Sequence, residues 1–423
     1  MERKHYILYR NPLIAILVSV TFIFALALPI FLETNQVQSA QTIFFDLPSK
    51  LAVNQSTDPT IRDSLKELFI EANLFLIKNA TSVTEKTELP ASGNIHDFLS
   101  LAPYCWPDPT KSNGLPYICR DGMVNPEVQS IPDGRNMGDM IVRVKTLSLA
   151  YYFSDNKQYA SKAAELLRVW FLNNDSRMNP NLEFAEMVRG LNNGTAHGII
   201  AGKYLPDIVD SIGLIQNSSA WSEKDQQGIE LWFAMYFDWL LNSNAGKKES
   251  ESKNNQGTWY DVQASSIALF LNKTDLAKHI LKTNELPLIG LKIEPDGRQP
   301  YELVRQTSLG YSILNLLGLF KLAIIGEHLG FDLWNYQTPQ GAGLQKALNY
   351  LLPYVSKNQT WPYAQIRPPG AEENRNLIDL LCQATIHYQK NESYIEAYKS
   401  VNRQNLFSSW DNLIYMCGET RPN

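Results

Sequence analysis

Two polar, aromatic segments of this chain carry the side chains that could do chemistry. The first, Lys253 to Gln263, reads KNNQGTWYDVQ, and the second, Pro295 to Ser312, reads PDGRQPYELVRQTSLGYS. Between them they supply a pair of side-chain amides, a guanidinium and a phenol. Amides and guanidinium groups stabilise negative charge, and a phenol can donate or accept a proton. The combination favours removal of a proton from the carbon next to a sugar carboxylate.

The C5 proton of a uronate is only weakly acidic while the adjacent carboxylate is ionised. Hydrogen bonds from the amides of Asn255 and Gln256 would let negative charge spread into that carboxylate. Tyr311 could then act as both base and acid, provided that the proton and the leaving O4 lie on one face of the sugar. Because the pKa of free tyrosine is about 10, Arg305 would have to favour the phenolate.

The spacing of Arg305 and Tyr311 makes a structural demand. On one continuous helix, six residues would turn the two side chains about 120° apart. Pairing therefore requires Arg305 in the entry loop and a helix that begins near Thr307.

Most of the remaining chain shows the pattern of amphipathic helices joined by polar turns. With few strand signals and no sequence repeat, this predicts an all-α fold in which paired helices close into an α/α toroid, and an open helical array is the alternative. The predicted helices cover about Ile61 to Lys78, Met137 to Phe153, Tyr159 to Phe171, Ser222 to Leu241, Trp259 to Leu271, Thr307 to Leu329, Leu344 to Val355, Asn376 to Tyr388 and Tyr394 to Gln404.

A long non-helical segment, Ser92 to Asp133, is rich in proline, glycine and aromatic residues. Such a loop in a helical domain is often functional. Tyr104 and Trp106 could stack on sugar rings, or the loop could simply cover one end of the toroid. Cys105 and Cys119 could form one local disulfide.

The chain resembles the alginate lyase domain family of polysaccharide lyases, closest to the glucuronan- and alginate-degrading polysaccharide lyase family 38. The resemblance spans about His96 to Tyr388 and implies an incomplete (α/α)6 or (α/α)7 barrel. Its groove would bind an anionic uronic acid polymer and cleave it by β-elimination, without a metal or an organic cofactor. It is carried by LAPYCWPDP at 101 to 109, NGLPYICRDGMVNPE at 113 to 127, NNQGTWYDVQ at 254 to 263 and the second segment above.

By this resemblance, Asn255 and Gln256 occupy the carboxylate-neutralising and base positions, Arg305 is the assisting arginine, and Tyr311 is the catalytic tyrosine. The residues expected to bind substrate are Asn254, Trp259, Tyr260, Gln299, Tyr104, Trp106 and His197.

Gln256 departs from the family pattern, which has histidine there. Glutamine donates hydrogen bonds but cannot accept a proton at neutral pH. We therefore expect the loss of anti elimination and a specificity narrowed to mannuronate- or glucuronate-type linkages, cleaved through Tyr311. His197, in the segment NNGTAHG, could replace the missing base or be a loop or capping residue.

Each of these residues also has a purely structural interpretation. Tyr311 and Trp259 could be core aromatics, Asn254 and Asn255 helix caps, and Arg305 a partner of Glu302. Two other classes of function stay open. One is a catalytically impaired carbohydrate-binding protein. The other is an α/α glycoside hydrolase using paired carboxylates among Asp97, Asp108, Asp139 and Glu186.

Composition limits the partners. The net charge of -5, the pI near 5.8 and the 19% of charged residues leave no basic surface for nucleic acid, so local Arg and Lys would have to meet an anionic substrate. The six histidines are scattered without metal-ligand spacing, so no metal site is expected. A monomer is expected.

The N-terminus has the form of a secretion signal. Basic residues precede the apolar run Leu13 to Leu32, and small residues follow at Val37 to Ala40. Residues 1–40 are thus a signal peptide or signal anchor, and the protein is expected to be secreted or extracytoplasmic. Residues 41–58 are predicted as a tether, 59–405 as the toroid domain and 406–423 as a tail. Eight Asn-X-Ser/Thr triplets are glycan sites or chance occurrences: Asn54, Asn79, Asn174, Asn193, Asn217, Asn272, Asn358 and Asn391.

Overall fold

The computed structural model describes residues 42–356, 359–388, 391–404 and 412–415, which are mainly helical. The α-helices are α1 (Lys50–Asn54), α2 (Pro59–Leu76), α3 (Asp133–Ser154), α4 (Lys157–Leu167), α5 (Leu205–Ile215), α6 (Glu223–Asn242), α7 (Asn244–Ser250), α8 (Asn255–Phe270), α9 (Thr274–Ile280), α10 (Leu286–Lys292), α11 (Pro300–Leu303), α12 (Ser308–Leu329), α13 (Leu344–Val355), α14 (Ala371–His387), α15 (Glu392–Gln404) and α16 (Asn412–Tyr415). The strands are β1 (Leu99–Leu101), β2 (Cys105–Trp106), β3 (Ile118–Cys119) and β4 (Phe184–Met187).

The predicted helices are present, and α6 shows why the sequence specifies them. Ser222 accepts a hydrogen bond from the backbone N–H of Asp225, and the Asp225 carboxylate accepts one from the backbone N–H of Ser222. This reciprocal pair caps the first turn of the helix. From Ile229 to Leu240, apolar side chains at helical spacing are buried in the core.

The helices pack side by side around one large core, α3 against α4 and α5, and α12 against α8 and α14. This arrangement is the predicted α/α toroid. Among the described residues, α12 alone is long and apolar enough to span a membrane, but it is a core helix, since most of its residues are buried inside the protein.

The contact between α8 and α12 positions the two chemically rich segments. A Cβ at Gly318 would lie 2.8 Å from a side-chain carbon of Thr258, so only glycine permits this close approach. The Thr258 hydroxyl donates to Asn315 at 2.7 Å, and the Trp259 indole donates to the Leu314 carbonyl at 3.0 Å. The N-terminal ends of both helices are thereby held in a fixed relation.

Two of the predicted boundaries are wrong. The described part of the expected tether, residues 42–58, belongs to the domain, because Phe44 and Phe45 are buried in the main core and α1 forms within it. In the expected tail, α16 buries Leu413 and Ile414 in the same core. The predicted signal segment lies outside the described residues.

The Asp210 carboxylate binds the backbone of residues 43–45, near the start of the described chain, to the toroid. Asp210, fully buried on α5, accepts the backbone N–H groups of Ile43, Phe44 and Phe45 at 2.7, 2.6 and 2.9 Å. Three donors on one buried acceptor make this contact costly to remove.

We expect Asp210→Asn to lower the free energy of unfolding by about 3 kcal/mol or more, because the amide NH2 would face backbone donors. Guanidinium-induced unfolding measures the change. The matched control is Asp238→Asn, at an exposed carboxylate that accepts a bond from the Asn242 side chain, and it should change stability by less than about 0.5 kcal/mol. Equal guanidinium concentrations at the unfolding midpoint of the two variants would contradict the prediction.

Candidate active site

A disulfide-closed hairpin shapes one side of the site. Strands β2 and β3 pair antiparallel with Cys105 opposite Cys119, and these two cysteines form the predicted disulfide. Tyr104 and Arg120 flank the closed pair, and the Arg120 N–H donates to the Tyr104 carbonyl at 2.8 Å. The hairpin therefore fixes Tyr104 and, beside Arg120, the carboxylate of Asp121.

Asp121 orients the arginine of the second segment. Its two oxygens accept bonds from Nε and one terminal nitrogen of Arg305 at 3.0 and 2.6 Å, and it also accepts the backbone N–H of Gln306 at 2.9 Å. A two-point pairing of this kind fixes the plane of a guanidinium as well as its position. Arg305 thus pairs with the long loop and not with Glu302, its alternative partner.

Arg305 and Tyr311 are in contact, and Arg305 lies before the start of the helix that carries Tyr311, as their spacing in the sequence requires. Arg305 follows α11 and precedes α12, which begins at Ser308, and its guanidinium carbon lies 3.6 Å from the Tyr311 ring centroid. The Tyr311 hydroxyl is 2.6 Å from the hydroxyl of Tyr104. Tyr311 is half-buried, so its ring packs on the guanidinium while part of it stays open to solvent.

The protonation state of Tyr311 differs from the expectation. Burial raises the pKa of this phenol well above its ordinary value, the neighbouring Tyr104 raises it further, and the Arg305 charge offsets only part of the shift. Arg305 therefore does not produce a resting phenolate. In this site Tyr311 is a neutral phenol, ready to donate a proton.

The N-terminus of α8 holds the amide pair in an unexpected way. Asn254 caps the helix, accepting the Gln256 N–H at 3.1 Å. Asn255 is 1% exposed, and its side chain and backbone N–H donate to the two oxygens of Glu302 at 2.8 and 2.5 Å. The prediction that Asn255 donates to a substrate carboxylate is wrong for this structure, because its amide is buried and committed to Glu302.

The carboxyl of Glu302 connects this corner to the arginine. Burial raises the pKa of Glu302 to about 7, and the two Asn255 donors and the Arg305 charge keep it from rising further. Glu302 thus lies within the electrostatic reach of Arg305, and the start of α8 borders the same region as the Arg305–Tyr311 pair.

Gln256 is bound to a second carboxylate. With its amide oriented so that the nitrogen faces both acceptors, the Gln256 side chain donates to Oε1 of Glu249 and to the backbone carbonyl of His197, the latter at 3.2 Å. The other oxygen of Glu249 lies 3.5 Å from Nδ1 of His197. The Glu249 side chain is 1% exposed and that of His197 is 55% exposed, so a buried carboxylate supports an accessible imidazole. The Gln256 amide, like that of Asn255, is already engaged.

Glu186 is a site residue that the sequence argument considered only for a hydrolase. It lies on β4 at a φ of 52°, which is rare for a residue with a side chain, and its N–H donates to the Ser100 hydroxyl at 2.9 Å. Burial raises the pKa of its carboxyl to about 7, the His197 charge lowers it, Glu249 raises it, and Lys203 and Arg305 lower it. A half-buried carboxyl among these charges is a candidate functional group.

Three residues predicted to bind substrate do not line a groove. Trp259, Tyr260 and Gln299 are 0%, 3% and 2% exposed, and their polar atoms bond to other parts of the core. These predictions are wrong for this structure. The helix α8, which carries Trp259 and Tyr260, is buried on nearly all sides, and Gln299, at the start of α11, bonds to Ser312 and Asn315 of α12. Trp106 is half-exposed on β2, where its indole donates to the Met123 carbonyl at 2.8 Å.

Within the described ranges, no group of three or more His, Cys, Asp or Glu side chains could hold a metal ion. What the site offers is a phenol, a stacked guanidinium, an imidazole and a carboxyl that titrates near neutrality.

The sequence model of the alginate lyase family matches residues 82–361, more than half of the chain and including every group described above. The chain belongs to the alginate lyase family. As a family member it is a polysaccharide lyase. No curated protein sequence matches this chain.

Solved structures of alginate lyases have the same fold. An alginate lyase from Bacteroides ovatus is 34% identical with a TM-score of 0.81, over 89% of this chain and 99% of that one. Alginate lyase A1-III complexed with a tetrasaccharide is 14% identical with a TM-score of 0.57, over 88% of this chain and 93% of that one. The enzyme A1-III from Sphingomonas species A1 is 16% identical with a TM-score of 0.52, over 81% of this chain and 87% of that one. The two comparisons with A1-III show the fold alone.

Proposed function

We propose that this lyase cleaves a uronic-acid polysaccharide such as alginate, polymannuronate or glucuronan by β-elimination, with Tyr311 as the acid that protonates the leaving oxygen. The observation that carries the proposal is the packing of Arg305 on the Tyr311 ring, with the Tyr104 hydroxyl 2.6 Å from that of Tyr311. These contacts hold the neutral Tyr311 phenol in a fixed orientation, with the Arg305 cation beside it.

The reaction balances without water or an oxidant. The His197 imidazole, whose Nδ1 lies 3.5 Å from Glu249, removes the C5 proton, the electron pair forms the C4–C5 double bond, and the C4–O4 bond breaks. O4 leaves with the proton of Tyr311, and the phenolate formed is stabilised by the adjacent Arg305 guanidinium. The proton taken at C5 returns to Tyr311 through solvent.

Glu186 is proposed to hold the substrate carboxylate in place of Asn255 and Gln256. A protonated carboxyl can donate a hydrogen bond to a carboxylate, and the negative charge of a bound uronate would raise the pKa of Glu186 further. The charge of Arg305 reaches this carboxyl as well as Tyr311. Stabilisation of the charge that develops at C5 is the largest contribution expected of such groups.

Local cations compensate for the acidic composition of the chain. Lys203 lies within the electrostatic reach of Glu186, and Arg367 within that of Tyr104 and Tyr311. The side chain of Arg367 is 39% exposed. Lys203 is also paired with Glu372 and Arg367 with Glu373, so a polymer with one carboxylate per sugar would share these two cations with carboxylates of the protein.

Action outside the cytoplasm is part of the proposal. It is supported by the signal-like N-terminal segment and by the Cys105–Cys119 disulfide, because disulfides persist in oxidising compartments.

The proposal is tested by incubating the protein with mannuronan, guluronan, glucuronan and a glycosaminoglycan and following the ultraviolet absorbance of the new double bond. We expect the absorbance to rise with at least one uronan. New reducing ends without absorbance would indicate a hydrolase. Binding without either signal would indicate the impaired carbohydrate-binding protein that Gln256 allows, and both outcomes contradict the proposal.

A further inference from the structure

We propose that a cavity at the start of α6 is a second, non-catalytic binding site for the uronic acid polymer, and that it holds chains long enough to reach it from the catalytic residues. The inference rests on the proposed function. It adds a binding site to that function and gives the cavity no part in the chemistry.

The cavity lies between the first half of α6 and the loop that precedes β4, and its volume is about 470 Å³. Pockets of this size commonly hold small molecules or parts of larger ones. Three cations line it, Arg168, Arg177 and Lys224, together with the carboxylate of Asp225.

The charge of the cavity is opposite to that of the whole chain. Asp225 pairs with Arg168 at 2.7 Å and so compensates one of the three cations. Arg177 and Lys224 are exposed, and neither forms an ion pair with a residue that the structure describes. Two uncompensated positive charges thus line a cavity in a chain whose net charge is -5. This favours a ligand that carries carboxylates.

The remaining lining of the cavity suits sugar rings. Leu231 and Met235 lie four residues apart on one face of α6, and they are 61% and 52% exposed. Asn173 also lines the cavity, and its amide can donate to and accept from hydroxyl groups. Apolar surface, an amide and two cations together match a polymer in which each unit has a ring, hydroxyl groups and a carboxylate.

The backbone that carries Arg177 is fixed to α6. The next residue, Met178, is buried, and its N–H donates to the Trp170 carbonyl at 2.8 Å. The Met178 carbonyl accepts the indole N–H of Trp232 at 2.8 Å, and the Trp232 ring packs edge-on against Phe171 with centroids 4.6 Å apart. The shape of the cavity is therefore set by core packing.

The cavity is separate from the catalytic residues. Gly228 lines it, whereas α6 ends at Asn242, just before the helix α7 that carries Glu249. From Gly228 to Asn242 the helix axis is roughly 20 Å long, at 1.5 Å per residue. A short oligosaccharide bound near Glu249 and Tyr311 would leave the cavity empty, while a longer chain can occupy both places.

Binding at two places raises the affinity for a long chain without any new contact to the reacting sugar. These contacts are the same before and during elimination, so they should lower KM and leave kcat unchanged. Salt screens contacts between exposed charges. The preference for polymer over short oligosaccharides should therefore decrease as the ionic strength rises.

The test is the double variant Arg177→Ala/Lys224→Ala, assayed on the uronan that the protein cleaves and on a trisaccharide of the same sugar. We expect KM for the polymer to rise about five- to tenfold, the scale of losing two exposed charge contacts, with kcat unchanged. Both constants for the trisaccharide should stay within about twofold of the wild-type values. The matched control is Arg62→Ala/Lys157→Ala, which removes one arginine and one lysine from exposed positions outside the cavity and should change neither KM.

A direct binding measurement does not depend on turnover. In native gels that contain mannuronan, the Tyr311→Phe protein should be slowed more than the same protein with the two cavity substitutions, and neutral dextran should slow neither. The inference is overturned by an unchanged KM for the polymer in the double variant, by an equal rise for the trisaccharide, or by gel retardation that the substitutions do not weaken. Retardation by polyglutamate but not by mannuronan would indicate an acidic protein partner and would also overturn it.

These outcomes are distinct from a failure of the proposed function. Cleavage of a uronan by a double variant that behaves as the wild type would end the inference and leave the proposed function standing. Inactivity on every uronan would end the proposed function, while retardation by mannuronan that depends on Arg177 and Lys224 would still show a binding site at the cavity.

Discussion

Tyr311→Phe is expected to lower kcat by about 10²- to 10⁴-fold on every uronan that the protein cleaves. The substitution removes one hydroxyl and leaves the ring that packs on Arg305. Without the phenolic proton, O4 must leave as an alkoxide, whichever group takes the C5 proton. The loss should therefore be common to all substrates. Initial rates of double-bond formation measure it.

Tyr104→Phe is the matched control for that variant, because the two hydroxyls form one hydrogen-bonded pair at 2.6 Å. If Tyr311 is the acid, removing its partner disturbs orientation only, and kcat should fall about tenfold or less. A Tyr311→Phe variant that keeps its activity would contradict the assignment. A larger loss in Tyr104→Phe would transfer the role of acid to Tyr104.

Glu186→Ala is expected to lower kcat/KM by about 10²- to 10³-fold, the scale of losing one donor that stabilises developing charge. Glu186→Gln keeps a neutral donor of similar shape and should retain most of the activity at neutral pH. The donor is present below the pKa of Glu186 and absent above it. Wild-type kcat/KM should therefore fall as pH rises through about 7.

The pH profile distinguishes the two variants. In Glu186→Gln the decline above about 7 should disappear, because an amide does not titrate. The charged groups around Glu186 are His197, Glu249, Lys203 and Arg305. A decline that persists in Glu186→Gln would contradict the role proposed for this carboxyl.

The helices were predictable where they have a polar and an apolar side. The predicted Ser222 to Leu241 and the observed Glu223–Asn242 differ by one residue at each end. By contrast α5 was missed, because its eleven residues are nearly all buried, and so short an apolar run does not distinguish a helix from a strand. The tether prediction failed because Phe44 and Phe45 depend on Asp210, a partner more than 160 residues away that no local pattern reveals.

The active site was predictable in part. The pairing of Arg305 with Tyr311 follows from the helix start between them, which the sequence indicates. The engagement of Asn255 by Glu302 and of Gln256 by Glu249 joins residues of different helices, so spacing could not show that both amides are already bound. The position of Glu186 results from the parallel pairing of β1 with β4 and from the left-handed backbone conformation of Glu186 itself. Neither feature leaves a clear signal in the sequence.

The central claim, elimination with Tyr311 as acid, is tested most directly by the oxygen that the products carry. The substrate should be a uronan that the protein depolymerises, digested in water enriched in the heavy oxygen isotope and analysed by mass spectrometry. In early samples the account predicts fragments with an unsaturated non-reducing end, lighter by one water molecule than hydrolysis products and free of the heavy isotope at the freed O4, which becomes the hydroxyl of the new reducing end. Saturated fragments carrying the heavy isotope would contradict it.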